Sequence, residues 1–468
     1  MRHERSRLGF LTFIAACALA LAFATVTSAV QPLRVSGNGR HLIKADGTPF
    51  FWTGDTAWRL FKLSREDIDH YLDDRAARGF NVIQGPVLLT GDASIESRNF
   101  YGDSNTNPDS HPAGWFNHID YIVNAAEQRG LYIALVAAWG DIIDQFGSSQ
   151  AQKEARANDF GNWLGNRYRY NDNVIWIVAG EYNILGTSND IRNVWNALGN
   201  GLKNGSGGNH LITIHASYQD GRQSSSSMFH NSGWLSFNMI QSSQSGDFGP
   251  GADNFNLVYD DYNLTPVKPV IDGEAHYEGL TGWNAFGVRR RAYWSVFAGG
   301  MGHTYGTIPV ALTYRGGNDD ASYGDTTLWS DALSRPGASD MRLLRRLIES
   351  RPMLKRIPDQ NMLTTWAGNV PDRMIAQRDA QKRWAMVYVP KKNKTFTVNL
   401  VTSMAGSQIK AWWYDPRNGK VRNAGAFARL SNGGFRSFTT PSSGQDWVLV
   451  LDDASRGYAK PGTGGPMP

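Results

Sequence analysis

The 468-residue chain has a single cysteine, Cys17, so it can hold neither an intramolecular disulfide framework nor a cysteine-based zinc cluster. Charged side chains make up only 19% of it, a composition that suits neither a disordered polymer nor a coiled coil. Beyond the N-terminal segment, no stretch approaches the roughly 18 apolar residues that a membrane helix requires. There is no His-x-His after the first strand-like run and no His-Glu-x-x-His, so a zinc or binuclear hydrolase lacks its ligands. Gly-x-Ser-x-Gly is missing as well, which removes the usual serine elbow. No cofactor is expected.

The N-terminus has an export pattern. Arg2, Arg5 and Arg7 precede the apolar run Leu8 to Val26, and the small pair Ser28-Ala29 follows. A charged, then apolar, then small-residue order marks a secretory signal over residues 1–29. Ile14-Ala15-Ala16-Cys17 offers a rival reading as a lipoprotein box, but the apolar run continues past Cys17 through Phe23. Cleavage after Ala29 would leave 44 basic against 41 acidic residues, too mild a balance to attract nucleic acid. A secreted or periplasmic protein is expected, with no nucleic-acid partner and no membrane association beyond the export signal.

From residue 50 to about 306, short apolar runs alternate with amphipathic segments of helix length. Eight runs end near Asp55, Pro86, Trp139, Glu181, His215, Gln241, Glu274 and His303. The intervals suit a strand, a loop and one returning helix. Ser64 with Asp67 reads as a capping box, and Gly79 and Gly130 as helix stops just before the second and third strands. Eight such units closing on themselves give an α/β fold of the (β/α)8 TIM-barrel type, placed over 30–360 with an N-terminal hairpin at 34–50. An open doubly wound sheet is the rival; it would need a Gly-rich phosphate loop after its first strand, and Thr53-Gly54-Asp55-Thr56 is not one.

After about residue 360 the period changes. Met374-Ile375-Ala376, Trp384 to Val389, Phe396 to Val401, Ile409 to Tyr414 and Trp447 to Leu451 read as strands with no helix between them, a small antiparallel β-sandwich over 361–453. The Gly- and Pro-rich tail, 454–468, reads as flexible. Arg289-Arg290-Arg291 reads as a short solvated charge run.

In a TIM barrel the reactive groups sit where strands end at the top face. The fourth strand terminates in Glu181 and the seventh in Glu274. Burying a charge at the end of an apolar run is costly and calls for a reason, whether a structural ion pair or chemistry. Strands four and seven lie across the mouth from each other, and two opposed carboxyl groups about 5 Å apart are what a retaining glycosidase needs. Asp55 reads equally as a sugar contact or a helix cap. Asp272 points the same way as Glu274 by strand alternation, as a supporting group or the buried partner of an arginine. Trp58, Trp139, Tyr182, Asn183, His215, Asn238, Gln241, His276, Tyr277, His303 and Tyr305 surround the same face. Singly each is as readily packing as ligand contact; together they can stack on and hydrogen-bond a carbohydrate, with Trp139 the best stacking candidate.

At these residues the sequence resembles the apiosidase-like enzymes of glycoside hydrolase family 140, relatives of the clan A (β/α)8 retaining hydrolases. The motifs are Phe51-Trp52-Thr53-Gly54-Asp55-Thr56-Ala57-Trp58, Gly79-Phe80-Asn81-Val82-Ile83-Gln84, Phe237-Asn238-Met239-Ile240-Gln241-Ser242, Lys268-Pro269-Val270-Ile271-Asp272-Gly273-Glu274, and Ala292-Tyr293-Trp294-Ser295 with Gly302-His303-Thr304-Tyr305-Gly306. The C-terminal sandwich is similar to the domain that usually follows in that family. The resemblance implies that Glu274 is the nucleophile and position 181 the acid/base, with Gln84 among the substrate-binding residues. The family typically has Gly-Gly-Asp at the fourth strand, whereas this chain has Ala179-Gly180-Glu181, which moves the proton donor by one methylene and puts the branched pentose apiose in doubt as the substrate.

The resulting expectation is a secreted retaining glycoside hydrolase acting on plant or microbial polysaccharide, pectic side chains included. The rivals are a carbohydrate-binding protein that has kept the cleft without catalysis, and a surface adhesin working through the sandwich.

Overall fold

The computed structural model describes residues 30–88, 98–105, 107–218, 223–242, 244, 252–317 and 322–467. The expected signal segment and Cys17 lie outside them. Eight parallel strands form one sheet: Trp52–Thr56, Val82–Pro86, Tyr132–Trp139, Val174–Gly180, Ile212–Thr213, Asn238–Gln241, Val270–Glu274 and Gly302–Tyr305. The first strand pairs with both the second and the eighth, and the order runs on to the fifth on one side and the sixth on the other. Between the fifth and sixth strands the seam is held by single bonds. Ser236 N–H donates to the Ile212 carbonyl (2.7 Å), and the Thr213 hydroxyl donates to the Phe237 carbonyl (2.8 Å). The (β/α)8 reading holds.

Alternation along each strand sorts side chains between two layers. Trp52, Val82, Tyr132, Val136, Ile175, Ile177, Phe237, Met239, Ile271 and Met301 fill the barrel. Ile83, Ile133, Leu135, Trp176, Val178 and Ile214 face the helices. This parity decides which polar residue at a strand end reaches the mouth. The helices start and stop where the sequence signals them: the Ser64 hydroxyl accepts from Asp67 N–H before the helix Arg65–Ala77, and Gly79 and Gly130 take the positive φ (84° and 72°) that ends their helices. The N-terminal hairpin adds a third strand. Leu33–Val35, Leu42–Lys44 and Pro49–Phe50 pair antiparallel, and Leu33, Leu42 and Phe50 join the barrel's interior cluster at the end opposite the site.

The C-terminal region has a six-stranded antiparallel sheet, in spatial order Arg356–Pro358, Ile375–Asp379, Trp384–Val389, Trp447–Asp453, Gln408–Tyr414 and Val421–Ala428. A second layer pairs Thr395–Asn399 with Phe435–Thr439. Val421–Ala428 and Phe435–Thr439 escape the sequence reading because each buries only one side chain, Phe427 and Phe438 respectively, so neither shows an apolar run.

The six-stranded sheet is buried on both faces. Trp384, Met386, Tyr388, Trp412, Tyr414, Val448 and Val450 pack with Tyr293, Trp294, Phe297, Leu344 and Leu347 of the barrel helices Ala285–Phe297 and Pro336–Glu349. On the other side Ala385, Val387, Trp413, Leu449 and Leu451 pack with Phe396, Val398 and Phe438 of the two-stranded layer. Arg289-Arg290-Arg291, expected in solvent, is buried at the first of these junctions. Arg289 forms a bidentate pair with Asp446 (2.8 and 2.7 Å) and a third bond to Asp340 (2.7 Å), because the sandwich brings a carboxylate to what would otherwise be the helix's wet face. The tail also departs from expectation: Pro461 and Gly462 are buried, Gly462 N–H donates to the Ser350 hydroxyl (3.1 Å), and Tyr458 lies under the Arg351 guanidinium. Specific contacts hold it despite its turn-rich composition.

Candidate active site

Glu181 leaves the fourth strand through a tight turn. Its φ is +47°, and its carbonyl accepts from Ile184 N–H (2.9 Å). That carbonyl passes over Gly140, where a Cβ would stand 2.1 Å from it, so Gly140 leaves room for the turn. Gly180 serves the neighbouring ring: a Cβ there would lie 2.4 Å from the Trp139 indole, which rests against the bare backbone. The Glu181 side chain, partly exposed at the mouth, accepts from Gln241 Nε2 (3.4 Å) and from the Trp139 indole. Burial, and then the negative charge of Glu274, push its carboxyl above the ordinary glutamate range.

Glu274 reaches the mouth through an irregularity in the seventh strand. Asp272 pairs with Ile240 but Glu274 with Gln241, so Gly273 is one residue too many and the register slips. The slip reverses parity. Asp272 faces the helices, where Ser242 Oγ (2.9 Å) and Asn254 Nδ2 (2.8 Å) donate to it near Arg291, and burial raises its carboxyl to about 6. Of the two readings for Asp272, the buried partner of an arginine fits, and the shared direction with Glu274 is corrected. Gly273 lies against the Met239 side chain with no room for a Cβ, and its carbonyl accepts from Gln84 Nε2 (3.0 Å) inside the barrel.

Two donors, Gln244 and Tyr277, and the His215 ring converge on the Glu274 carboxylate. Gln244 Nε2 lies 3.1 Å from Oε1, His215 Nε2 lies 3.3 Å from Oε2, and the Tyr277 hydroxyl also bonds it. Trp58 Nε1 donates to that same hydroxyl oxygen (2.9 Å), leaving the phenolic proton for Glu274. His215 Nδ1 accepts the backbone N–H of Glu181 (3.5 Å), which places the ring proton on Nε2, facing Glu274. The Trp58 ring stands edge-on to both Trp139 (5.3 Å between centroids) and His215 (5.7 Å). Glu181, Glu274, Trp58, Trp139, His215, Gln241 and Tyr277 thus come together, with Gln84 sealing the floor.

The other candidates do not join them. Asp55 faces outward, accepting from the Tyr71 hydroxyl (2.7 Å) beside Arg75, and burial raises its carboxyl to about 6. Asn238 bonds His230 on the helix side. His303 meets Ser295 Oγ (2.9 Å) in the helix layer, where burial lowers its imidazole to about 3. Tyr305 donates to Glu278 (2.6 Å). All four sit on the outward parity of their strands. Asn183 ties two loops together, accepting from Ser217 N–H (2.6 Å) and donating to its carbonyl (3.2 Å). His276 stacks on Trp283, 3.9 Å away, in the loop after the seventh strand. Gln244 was missed; it lies in a Ser- and Gly-rich loop where nothing in the sequence marks one glutamine above another.

A carboxyl that holds its proton more tightly than an ordinary glutamate, across from a carboxylate held by donors at the mouth of a TIM barrel, can protonate a leaving oxygen on one side of a substrate while the other attacks. Fold and site define a glycoside hydrolase. The chain belongs to the apiosidase-like family: residues 36–355 match the model described as "Apiosidase-like, catalytic domain". Residues 357–452 match a second model, "Putative collagen-binding domain of a collagenase". Among solved structures, the chain is similar to one titled "Glycoside hydrolase", at 33% identity over 91% of this chain and 97% of that one, with a TM-score of 0.79. It is also similar to a glycoside hydrolase family 5 structure from Bacteroides vulgatus, at 31% identity over 93% and 96%, with a TM-score of 0.81. A curated relative, mannan endo-1,4-beta-mannosidase F of Aspergillus fumigatus, is 23% identical over 220 residues, 40% of this chain; the chain spans about half the length of that relative (49%). No helix of the described residues is long and apolar enough to cross a membrane.

Proposed function

We propose that this glycoside hydrolase is exported, acts on plant or microbial polysaccharide, pectic side chains included, and works by double displacement with retention. The observation that carries the reading is the pairing of Glu181 with Glu274. The Glu274 carboxylate, oriented by Gln244, His215 and Tyr277, attacks the anomeric carbon while Glu181 gives its proton to the departing oxygen. A covalent glycosyl-enzyme results. Glu181, now a carboxylate, takes a proton from water, the water oxygen bonds to the anomeric carbon, and Glu274 is released. Glu181 is suited to give up a proton because burial, and then the charge of Glu274, oppose its ionisation. Trp58 and Trp139 supply the walls against which a sugar ring packs. Export rests on the N-terminal segment, whose charged, apolar, small-residue order suits a cleaved signal.

The test is to incubate the protein with pectic side-chain oligosaccharides, mannan oligosaccharides and aryl glycosides, and to follow the first-formed anomer by proton NMR. Release of sugar with its anomeric configuration kept is the expected result. Inversion, or turnover that survives in Glu274→Ala, would overturn the mechanism.

A further inference from the structure

The two faces of the C-terminal domain differ in kind. The six-stranded sheet is fixed to the barrel by the Arg289–Asp446 pair, the Arg351–Asp452 pair and the stack of Tyr293 on Tyr388, so that face cannot receive a ligand. The opposite layer has an open outer face. Phe396, Val398 and Phe438 point inward, while Thr395, Thr397, Phe435, Ser437 and Thr439 alternate outward. The outward hydroxyls are paired across the strands, Thr395 with Thr439 (2.9 Å) and Thr397 with Ser437 (2.8 Å). Thr364 and Thr365 extend the layer on its free edge, where Thr364 N–H donates to the Thr397 carbonyl (3.0 Å) and Thr397 N–H to Thr365 Oγ1 (2.9 Å). The next residue, Trp366, is 69% exposed, and Phe435 on the other strand is 48% exposed.

We propose that this face is a polysaccharide-binding surface, separate from the cleft, that takes neutral glycan chains. Exposed aromatic rings stack on the apolar faces of sugar rings, and aligned hydroxyls exchange hydrogen bonds with sugar hydroxyls. The outward positions of the two strands hold hydroxyls, one amide (Asn399) and one phenyl ring but no ionised group, so a charged partner finds no complement there. The two strands run about 13 Å, room for a short length of chain and not a single sugar. Because the sandwich is fixed to the barrel, this surface would hold an insoluble or high-polymer substrate against a cleft that it does not itself line. The inference rests on the chain's acting on polysaccharide, but its test needs no turnover.

Full-length Glu274→Gln is run by affinity electrophoresis through gels containing galactomannan, xyloglucan, arabinoxylan or rhamnogalacturonan, and is sedimented with collagen fibrils. Retardation by at least one neutral polysaccharide is expected, falling at least tenfold when Trp366→Ala and Phe435→Ala are added. The same double substitution in the otherwise wild-type protein is expected to leave aryl-glycoside or oligosaccharide hydrolysis within twofold and the melting temperature unchanged. Retardation that the double substitution does not alter would assign binding to the cleft and overturn the proposal. So would retention on collagen alone, on rhamnogalacturonan alone, or on none of the polymers.

Discussion

His215 Nε2 stands 3.3 Å from Glu274 Oε2. The other nitrogen of the same ring takes the backbone N–H of Glu181, so one imidazole fixes the relation between both carboxyl groups. His215→Ala should therefore lower kcat more than it raises KM, by about 100-fold, because a displacement near 1 Å is enough to cost that much. His215→Asn, whose amide oxygen can still accept the Glu181 N–H, should recover part of the loss. Steady-state kinetics on both variants check this, and a change confined to KM would remove His215 from a positioning role.

After burial, the charge of Glu274 is the main influence on the Glu181 carboxyl. Glu274 holds the Glu181 carboxyl up, so taking away the Glu274 charge favours ionised Glu181 and lowers its pKa. In Glu274→Gln, carboxyl titration by carbon-13 NMR should show that downward move. In the active protein, kcat/KM should fall as pH rises through the Glu181 pKa. Glu181→Ala should lose roughly 10²- to 10⁴-fold on substrates with poor leaving groups, spare those with good ones, and regain activity with azide.

Glu181 also holds a left-handed backbone conformation that side chains with a Cβ adopt at a cost of about 1–2 kcal/mol. Glu181→Gly and Glu181→Ala both remove the carboxyl, but only glycine relieves the backbone. The glycine variant should be about 1 kcal/mol more stable than the alanine variant in urea unfolding. Equal stability would mean that the turn relaxes in solution.

Asp272 gives the stability a pH dependence. Its carboxyl is raised to about 6 in the folded protein, so the native state holds a proton that the unfolded chain releases near the ordinary aspartate value of 3.8. The associated stabilisation is full below pH 3.8 and is lost as pH rises to 6, by about 3 kcal/mol. Asp272→Asn, which keeps an oxygen for Ser242 and Asn254, should not show that share of the loss. Melting curves between pH 4 and 6.5 on both proteins measure the difference.

Removing Asp446 leaves the Arg289 guanidinium with Asp340 alone in a buried junction. Asp446→Ala should cost about 3–5 kcal/mol. Because one cluster runs through barrel helices and sandwich strands, the wild-type protein should melt in a single calorimetric transition. Two separated transitions would contradict a shared core.

The barrel was legible because the apolar runs alternate with helices whose starts and stops, such as Ser64, Gly79 and Gly130, are marked by local signals. Glu181 and Glu274 were legible because a carboxylate ending an apolar run is rare. What misled was the strand end itself. Asp55, His303 and Tyr305 lie along their strands on the outward side, and Asn238 opens its strand well below the site; counting parity from Trp52, Met239 or Thr304, whose hydroxyl meets Trp52 and Gln84 inside the barrel, would have separated them. At Glu274 even that count fails, since the slip at Gly273 depends on how the strand meets its neighbour. The Arg289 run defeated composition for a related reason: its partner lies 157 positions further along the chain.

A sheet with both faces covered has a bearing on ancestry. Accessory modules that travel between genes do so at seams where little is shared, and here the seam runs through tryptophans and tyrosines contributed from both sides. Swapping the sandwich for an unrelated module would strip the helix that backs the seventh and eighth strands. The two parts are therefore expected to be inherited as a unit, and to diverge together.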